Sequence, residues 1–222
     1  GDLPIPTYGV AIALGFLAST LLGARAGQRQ GLGAERILDM AFWMLIGGLV
    51  GSRIVYVLTT LDQFEAQCRL GLIPGDPRPA LRLAYDCARP LFFWEGGLVY
   101  YGGALGALAG CLLYTRRNGM NFLQTADALA PGLALGHFFG RLGCHLAGCC
   151  YGMPTPSAMG ISFPPQSAAY LEMFESGTVT LHADFTPPLV PTQLLESSAE
   201  LGIFFLLIWF TARRRRPGQV LA

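Results

Sequence analysis

The most informative stretch of the chain is residues 140–152, which read Gly-Arg-Leu-Gly-Cys-His-Leu-Ala-Gly-Cys-Cys-Tyr-Gly. They follow an apolar run, 126–139, in which Asp127 and His137 are the only ionisable side chains, so Arg141 is predicted to lie at membrane depth. An arginine at the centre of a membrane helix costs at least about 2.5–3.5 kcal/mol, so it persists where it faces a partner or a bound anion. Snorkelling of Arg141 to the interface, with the glycines serving helix packing, explains the pattern equally well at this point.

The composition is typical of an integral membrane protein. Of the 222 residues, 52% are hydrophobic and 13% are charged, whereas soluble domains carry about 25% charged residues. The 15 basic residues are all arginine and the net charge is +1, so no overall positive field recruits nucleic acid. Six cysteines without paired CxxC motifs are too few for a disulfide scaffold.

Apolar runs of near-spanning length predict about five transmembrane helices. Four lie at about 8–23, 37–59, 122–142 and 194–210, and another follows residues 91–103 and ends near 114. The connections at about 60–92 and 144–192 are too polar and too rich in proline to lie in hydrocarbon. The sequence therefore predicts an all-α integral membrane protein, with a single transmembrane domain over residues 1–222 and long irregular outer loops.

Arginine bias predicts the orientation of the chain. With the N-terminus outside, most arginines fall in inner segments, including the run 213–216, and fewer fall in the outer loops. The C-terminus is then cytoplasmic, and residues 140–152 and both long loops lie on the outer, periplasm-like side.

Several short motifs occur along the chain besides residues 140–152. They are Tyr8-Gly9, Gly51-Ser52-Arg53 with Tyr56, Trp94-Glu95-Gly96-Gly97-Leu98 with Tyr101-Gly102-Gly103, Ala126-Asp127, and Pro191-Thr192-Gln193-Leu194 with Glu196. In type and order they resemble the motifs of the prolipoprotein diacylglyceryl transferase family, and they cover nearly the whole chain.

The resemblance implies a multi-pass enzyme of the bacterial inner (cytoplasmic) membrane, with its active site toward the periplasmic side. Such an enzyme transfers the diacylglyceryl group of phosphatidylglycerol to the lipobox cysteine thiol of a preprolipoprotein and releases glycerol phosphate. The implied partners are phosphatidylglycerol, the preprolipoprotein signal peptide and membrane lipids. No nucleic acid, cofactor or metal is expected.

The predicted catalytic residues are Arg141, Tyr101, His145 and His137. A guanidinium stays protonated and can bind phosphate oxygens in pairs, so Arg141 suits a leaving glycerol phosphate. Tyr101 is given a hydrogen-bonding role, because a phenol with a pKa of about 10 is a poor base. His137 and His145 are candidate bases, although a histidine near an apolar helix is more often structural.

The predicted substrate-binding residues come from the matched motifs. Glu95 and Glu196 either orient the arginines or anchor helix ends at the interface, and both explanations stay open. The full set is Tyr8, Arg53, Glu95, Gly102, Gly103, Gly140, Gly143, Cys144, Gly152 and Glu196.

The match departs from the family pattern in three places. Tyr101 stands where the family has its catalytic histidine, Cys144 replaces an asparagine, and Cys149 replaces an acidic residue. The family also continues past the position of Ala222 into a further spanning helix with a functional arginine. A truncated chain and a shortened relative both stay open.

The cysteines near Arg141 suggest rival functions. A disulfide within Cys144, Cys149 and Cys150 is the favoured structural explanation, with Cys68–Cys87 bridging the other loop. Thiol–disulfide chemistry is less favoured, and zinc binding through these thiols and His145 is less favoured still. Two further alternatives stay open. The protein could transfer the diacylglyceryl group to an acceptor other than a preprolipoprotein, or it could bind phospholipid as a scaffold without catalysis.

Overall fold

The computed structural model describes residues 7–70, 85, 87–92, 97–180, 183–213 and 216–220, with the side chains of 67–70 excepted. These residues form seven α-helices and no strand beyond isolated bridges. The helices are α1 (Thr7–Arg29), α2 (Ala34–Thr59), α3 (Leu61–Leu70), α4 (Tyr100–Arg117), α5 (Phe122–Ala147), α6 (Ala168–Glu175) and α7 (Thr192–Arg213). The predicted all-α class is confirmed for the described part of the chain.

Helices α1, α2 and α7 are long and apolar enough to cross a membrane. Their large apolar side chains are exposed, as at Leu17 on α1, Leu58 on α2 and Phe205 on α7. Exposed apolar surface of this extent requires a cover of lipid or protein, so the chain is a membrane protein. The other two predicted spans are the helices α4 and α5, and the count of spans and their orientation stay predictions.

Both predicted loops contain more structure than the sequence suggested. Helix α3 begins the 60–92 connection, and its first turn carries Asp62, which favours a helix N-terminus. In the 144–192 connection, α5 continues to Ala147 and passes through Pro131 without ending. The description of these connections as wholly irregular is therefore wrong.

The second connection has its own small core, which contains α6. The Ser167 side chain caps α6 by accepting a hydrogen bond from the backbone N–H of Tyr170 at 3.2 Å. Leu189 is fully buried and forms backbone bridges to both Pro154 and Ile161. The buried residues of this core are Phe163, Ala169, Tyr170, Met173, Val179 and Leu189. Burial of these apolar side chains orders the polypeptide that follows residues 140–152.

The described residues fall into two compact units, one within Gly1–Ile37 and Leu123–Ala222 and the other within Leu38–Phe122. In the first unit, α1 and α5 pack antiparallel through small residues. A Cβ added to Gly132 would lie 2.8 Å from the carbonyl oxygen of Ser19, and one added to Gly15 would lie 2.8 Å from Cβ of Phe139. The single domain predicted for 1–222 stays a prediction.

In the second unit, α2 and α4 also pack antiparallel, through glycines spaced four residues apart. A Cβ on Gly47 would lie 2.5 Å from the carbonyl oxygen of Gly106, and a Cβ on Gly51 would overlap the carbonyl oxygen of Gly102. The two backbones are therefore in direct contact, as small residues at this spacing permit in membranes.

Candidate active site

Arg141 lies near the end of α5 and forms an ion pair with α7. Its Nε is 2.6 Å from Oε2 of Glu196, and the Arg141 side chain is 27% exposed. The N–H of Nε does not point along this contact closely enough to form a hydrogen bond. Glu196 thus holds the guanidinium by charge on one edge.

The terminal nitrogens of the Arg141 guanidinium form no ion pair with the described residues. An arginine has five N–H donors in a planar fork, and the described residues bring no second carboxylate within ion-pair distance of it. The two terminal nitrogens are the part that binds an anion in pairs. The first unit therefore presents a half-buried positive charge whose outer edge can take a phosphate.

His137 forms a second ion pair between the same two helices, provided that its imidazole is protonated. Its Nδ1 is 2.8 Å from Oε1 of Glu200. His137 and Arg141 are four residues apart on α5, and Glu200 and Glu196 are four residues apart on α7, so each pair shares one helix face. The two contacts therefore lie about one helical turn apart along the same α5–α7 interface. Glu200 was not among the predicted site residues, although its spacing of four residues from Glu196 indicates a shared helix face.

His145, the other candidate base, has a different environment. It lies in the last turn of α5, and its ring packs edge to face on Phe163 with the centroids 5.9 Å apart. Its Nδ1 is buried without a hydrogen-bond partner among the described residues. The structure thus separates the two histidines, with His137 paired to a carboxylate and His145 packed on the core of the 144–192 connection.

The two glycines near Arg141 differ in how closely other side chains pack against them. A Cβ on Gly143 would lie 3.2 Å from Cδ2 of Tyr8 and 3.2 Å from Cβ of Ala11. A Cβ on Gly140 would meet only Cδ1 of Ile12, at an ordinary 3.8 Å. Gly143 therefore lets the Tyr8 ring approach α5 two residues beyond Arg141, whereas Gly140 has no comparable packing constraint.

Cys144, Cys149 and Cys150 form a cluster of free thiols, whose sulfur atoms all lie within 4.8 Å of one another. The expected disulfide among these three residues is therefore wrong. Burial raises the pKa of the Cys149 thiol, and the neighbouring Cys150 adds to the shift. Cys87 is disulfide-bonded, whereas the side chain of Cys68 lies outside the described residues.

The first residues of α7 hold the backbone of this cluster. Thr192 Oγ1 donates to the carbonyl oxygen of Cys150 at 2.7 Å, and Gln193 Nε2 donates to that of Cys149 at 2.7 Å. The N–H of Gly152 donates to the carbonyl oxygen of Val190 at 2.9 Å. The sequence analysis matched the Pro-Thr-Gln-Leu motif without assigning Thr192 and Gln193 this anchoring role.

Gly152 has packing neighbours on two sides. A Cβ there would lie 2.9 Å from Cγ2 of Thr192 and 2.9 Å from Cβ of Val190. The preceding Tyr151 donates its hydroxyl to Oε2 of Glu172 at 2.8 Å. Burial, reinforced by this hydrogen bond and by the charge of Glu172, raises the pKa of Tyr151. Both residues fix the segment that follows the thiols.

In the second unit, Arg53 directs its donors to backbone carbonyls. Nε donates to Pro90 at 2.8 Å, Nη2 to Arg89 at 2.6 Å and Nη1 to Gly97 at 3.3 Å. The guanidinium carbon also lies 5.1 Å from the centre of the Tyr56 ring. Arg53 therefore ties α2 to the polypeptide that precedes α4.

The other predicted residues of this unit have separate roles. Tyr101 is 76% exposed and packs edge to face on Tyr100, with the ring centroids 5.8 Å apart. Gly102 lies in the direct backbone contact between α2 and α4, whereas a Cβ on Gly103 would meet its neighbours only at 3.6 Å. Glu95 lies outside the described residues.

An apolar cavity of about 570 Å³ opens on the second unit beside Arg53. Its walls are aliphatic side chains of α2 together with Pro90 and Leu91. A cavity of this size and lining suits hydrocarbon rather than a polar ligand. The lining residues are Ile46, Leu49, Val50, Arg53, Ile54, Val57, Leu58, Pro90 and Leu91.

Comparison with known proteins identifies the family of the chain. Residues 1–222 match the family model of prolipoprotein diacylglyceryl transferase. The phosphatidylglycerol--prolipoprotein diacylglyceryl transferase 2 of Clostridium perfringens (strain 13 / Type A) is 31% identical over 220 residues, which are 99% of this chain and 73% of the relative. A phosphatidylglycerol--prolipoprotein diacylglyceryl transferase of Bordetella avium (strain 197N) is 31% identical over 229 residues, covering 100% of this chain and 72% of the relative. The chain belongs to the prolipoprotein diacylglyceryl transferase family.

Proposed function

We propose that this protein transfers the diacylglyceryl group of phosphatidylglycerol to the lipobox cysteine thiol of a preprolipoprotein, releasing glycerol phosphate. The names of the related transferases from Clostridium perfringens and Bordetella avium support the donor and the acceptor class. The observation that carries the proposal is the half-buried Arg141 guanidinium, which is held by Glu196 through Nε and has no second carboxylate within ion-pair distance among the described residues.

The reaction forms one bond and breaks one bond. The acceptor sulfur bonds to the glycerol carbon while the carbon–oxygen bond to the phosphate breaks. Glycerol phosphate leaves with the electron pair, and the thiol proton passes to a base. Negative charge grows on the leaving oxygen, so a guanidinium held in position stabilises the transition state more than the ground state.

His137 is the better placed of the two candidate bases. With the Nδ1 proton directed to Glu200 at 2.8 Å, Nε2 keeps its lone pair and can accept the thiol proton. A carboxylate that fixes the tautomer of a catalytic histidine is a common arrangement. A base of this kind contributes about 10²–10⁴-fold to a rate, which compensates for the tyrosine at position 101.

The apolar cavity of the second unit has the size and lining to accept hydrocarbon such as a lipid acyl chain. Its aliphatic walls suit hydrocarbon, and Arg53 at its edge is already bound to backbone carbonyls. Arg53 therefore contributes its alkyl stem to the cavity wall and keeps its charge compensated.

The location of the enzyme follows from the same proposal. We infer a multi-pass protein of the bacterial inner membrane with about five spans, its N-terminus outside and Arg141 toward the periplasm. The arginine distribution along the chain supports this orientation. Labelling of single cysteines introduced near residues 33 and 118 with a membrane-impermeant reagent tests it, and labelling of both sites in intact cells would reverse it.

The decisive experiment is transfer by purified protein in phospholipid vesicles. Labelled phosphatidylglycerol and a lipobox peptide are added, and the mass gain on the peptide cysteine is measured. The expected result is one diacylglyceryl group per peptide, and none on a peptide with serine in place of that cysteine. Arg141→Ala should abolish transfer, whereas Arg117→Ala, at the exposed end of α4, should not.

Two outcomes would contradict this function. One is transfer with phosphatidylethanolamine in place of phosphatidylglycerol, which would change the donor. The other is wild-type rates from Arg141→Ala with an unchanged melting temperature, which would remove the arginine from the mechanism.

A further inference from the structure

The free thiols of Cys144, Cys149 and Cys150 converge on one point. All three sulfur atoms lie within 4.8 Å of one another. In a tetrahedral zinc site with Zn–S distances of about 2.3 Å, the sulfur atoms are about 3.8 Å apart. Small side-chain rotations would therefore bring the three sulfur atoms to the distances that a zinc ion requires.

The backbone holds the thiols together through an uncommon conformation. Gly148 ends α5 with a φ of +68°, and Cys150 has a φ of +59°. The left-handed region is rare for residues other than glycine, and its cost persists where the surrounding structure imposes it. The N–H of Cys149 also donates to the carbonyl oxygen of Cys144 at 3.0 Å. The turn thus folds the adjacent pair back onto the end of the helix.

Further hydrogen bonds fix the turn from outside. The side chains of Thr192 and Gln193 each donate at 2.7 Å to the carbonyl oxygens of Cys150 and Cys149. Both bonds fix the backbone of the two cysteines and so limit where their sulfur atoms can lie. Cys150 is exposed, and Cys144 and Cys149 are half-buried, so a cation in solution has access to the cluster.

We propose that Cys144, Cys149 and Cys150 bind one thiophilic divalent cation, with Zn²⁺ as the reference ion, through three thiolate sulfurs. A disulfide uses two sulfurs and needs an oxidant, whereas the convergence here involves three. Each thiol releases its proton to water when the ion binds, and the fourth coordination position is left to water or an added ligand. The zinc hypothesis drawn from the sequence is retained here without His145, whose ring packs on Phe163.

The test is a zinc titration of the full chain in detergent. The protein is purified without oxygen and without added reductant, so that the disulfide at Cys87 contributes no thiols. Zn²⁺ is titrated against a coloured chelator, and bound metal is measured by elemental analysis. The expected result is one ion per chain, together with protection of the three thiols from alkylation.

Variants identify the ligands. Cys150→Ser, at an exposed position, should weaken Zn²⁺ binding at least ~100-fold because it removes a thiolate ligand. Thr192→Val removes a hydrogen bond to the Cys150 backbone and should weaken binding less, by about 5-fold for a hydrogen bond of about 1 kcal/mol. Cys111→Ala removes the buried free cysteine of the second unit and should leave the affinity unchanged. Melting curves of each variant distinguish loss of a ligand from loss of the fold.

Three results would overturn the proposal. They are wild-type affinity in folded Cys150→Ser, no zinc bound by the wild type, and a disulfide between two of the three cysteines in the oxygen-free preparation. The third result would favour thiol–disulfide chemistry at this position. None of these outcomes depends on the transferase assay, so the metal site and the proposed activity can fail separately.

Discussion

Arg53 and Arg141 are the two arginines that the sequence places in or beside membrane spans, and their environments differ. Arg53 donates to three backbone carbonyls and packs over Tyr56. Arg141 has one ionic partner, Glu196, and among the described residues no second carboxylate approaches its terminal nitrogens.

The difference shows two ways of stabilising a charge in an apolar setting. Carbonyl dipoles compensate Arg53 from several sides, with a hydrogen bond from each of its three nitrogens. A single carboxylate compensates Arg141 on one edge, and the proposed function assigns the remaining N–H donors to the phosphate of the substrate. A membrane arginine by itself therefore does not identify a phosphate site, and the partners of its guanidinium have to be considered before a role is proposed.

The largest expected effect comes from Arg141→Lys. The ammonium keeps the charge but lacks the planar fork, so transfer should fall roughly 10²–10³-fold, as on loss of a transition-state donor. The melting temperature should hardly change, because a single ion pair is affected. Transfer rates and thermal unfolding in the same detergent provide the measurement. Full activity of this variant would show that charge alone suffices.

Arg53→Ala should act mainly on stability. Its loss removes the Arg53 donor from the carbonyls of Pro90 and Gly97, whereas the Arg89 carbonyl keeps the N–H of Phe92. Each buried unsatisfied group costs about 1–3 kcal/mol, so we expect a total of about 2–6 kcal/mol for the two carbonyls. Activity per folded molecule should stay near that of the wild type. Chemical unfolding measures the free energy of unfolding of Arg53→Ala, and Arg29→Ala, at an exposed position on α1, serves as the control. A stable Arg53→Ala protein without transfer activity would place Arg53 with Arg141, among the residues that act on the substrate.

Glu196→Gln should cost less free energy than either arginine substitution, whether that cost is measured in catalysis or in stability. The amide can still contact Arg141 but no longer attracts it by charge, so transfer should fall about 10-fold, the equivalent of about 1.4 kcal/mol. Glu175→Gln, at the exposed end of α6, is the matched control. Assays at several phosphatidylglycerol concentrations separate weaker binding from slower turnover. A faster variant would mean that Glu196 competes with the substrate phosphate.

Tyr101→Phe should give the smallest change. The Tyr101 side chain is 76% exposed, and loss of one hydrogen bond of about 1 kcal/mol corresponds to about a 5-fold slower reaction. The matched control is Tyr100→Phe on the neighbouring exposed ring. A loss beyond 100-fold in Tyr101→Phe alone would give the second unit a catalytic side chain and weaken the contrast drawn between the two arginines.

The helices were predictable because apolar runs of near-spanning length leave few alternatives in a membrane. The five predicted spans all correspond to helices, and Glu196 was predicted to orient an arginine as one of two explanations. Helix α5 extends beyond its predicted end because Pro131 does not break it. Its proline sits among buried small residues, which tertiary packing can support against local propensity.

Contacts between distant residues were not predictable from spacing. The carbonyls that bind Arg53 come from residues 36–44 positions further along the chain. The thiol cluster depends on the left-handed conformation of Cys150 and on hydrogen bonds from the start of α7. Neither feature produces a periodic pattern in the sequence. The disulfide prediction relied on the closeness of the cysteines along the chain, and it was wrong because all three thiols are free.

The glycine contact between α2 and α4 affects how inactive variants of this protein should be interpreted. Gly102 was predicted as a substrate contact, yet any side chain there would push against the carbonyl oxygen of Gly51 and the side chain of Val55. If a Gly102→Ala protein fails to transfer lipid, the first explanation is therefore a disturbed contact between α2 and α4, and not a lost contact with the substrate. For motif glycines in such helix pairs, unfolding data have to accompany rate data before a role in catalysis is assigned.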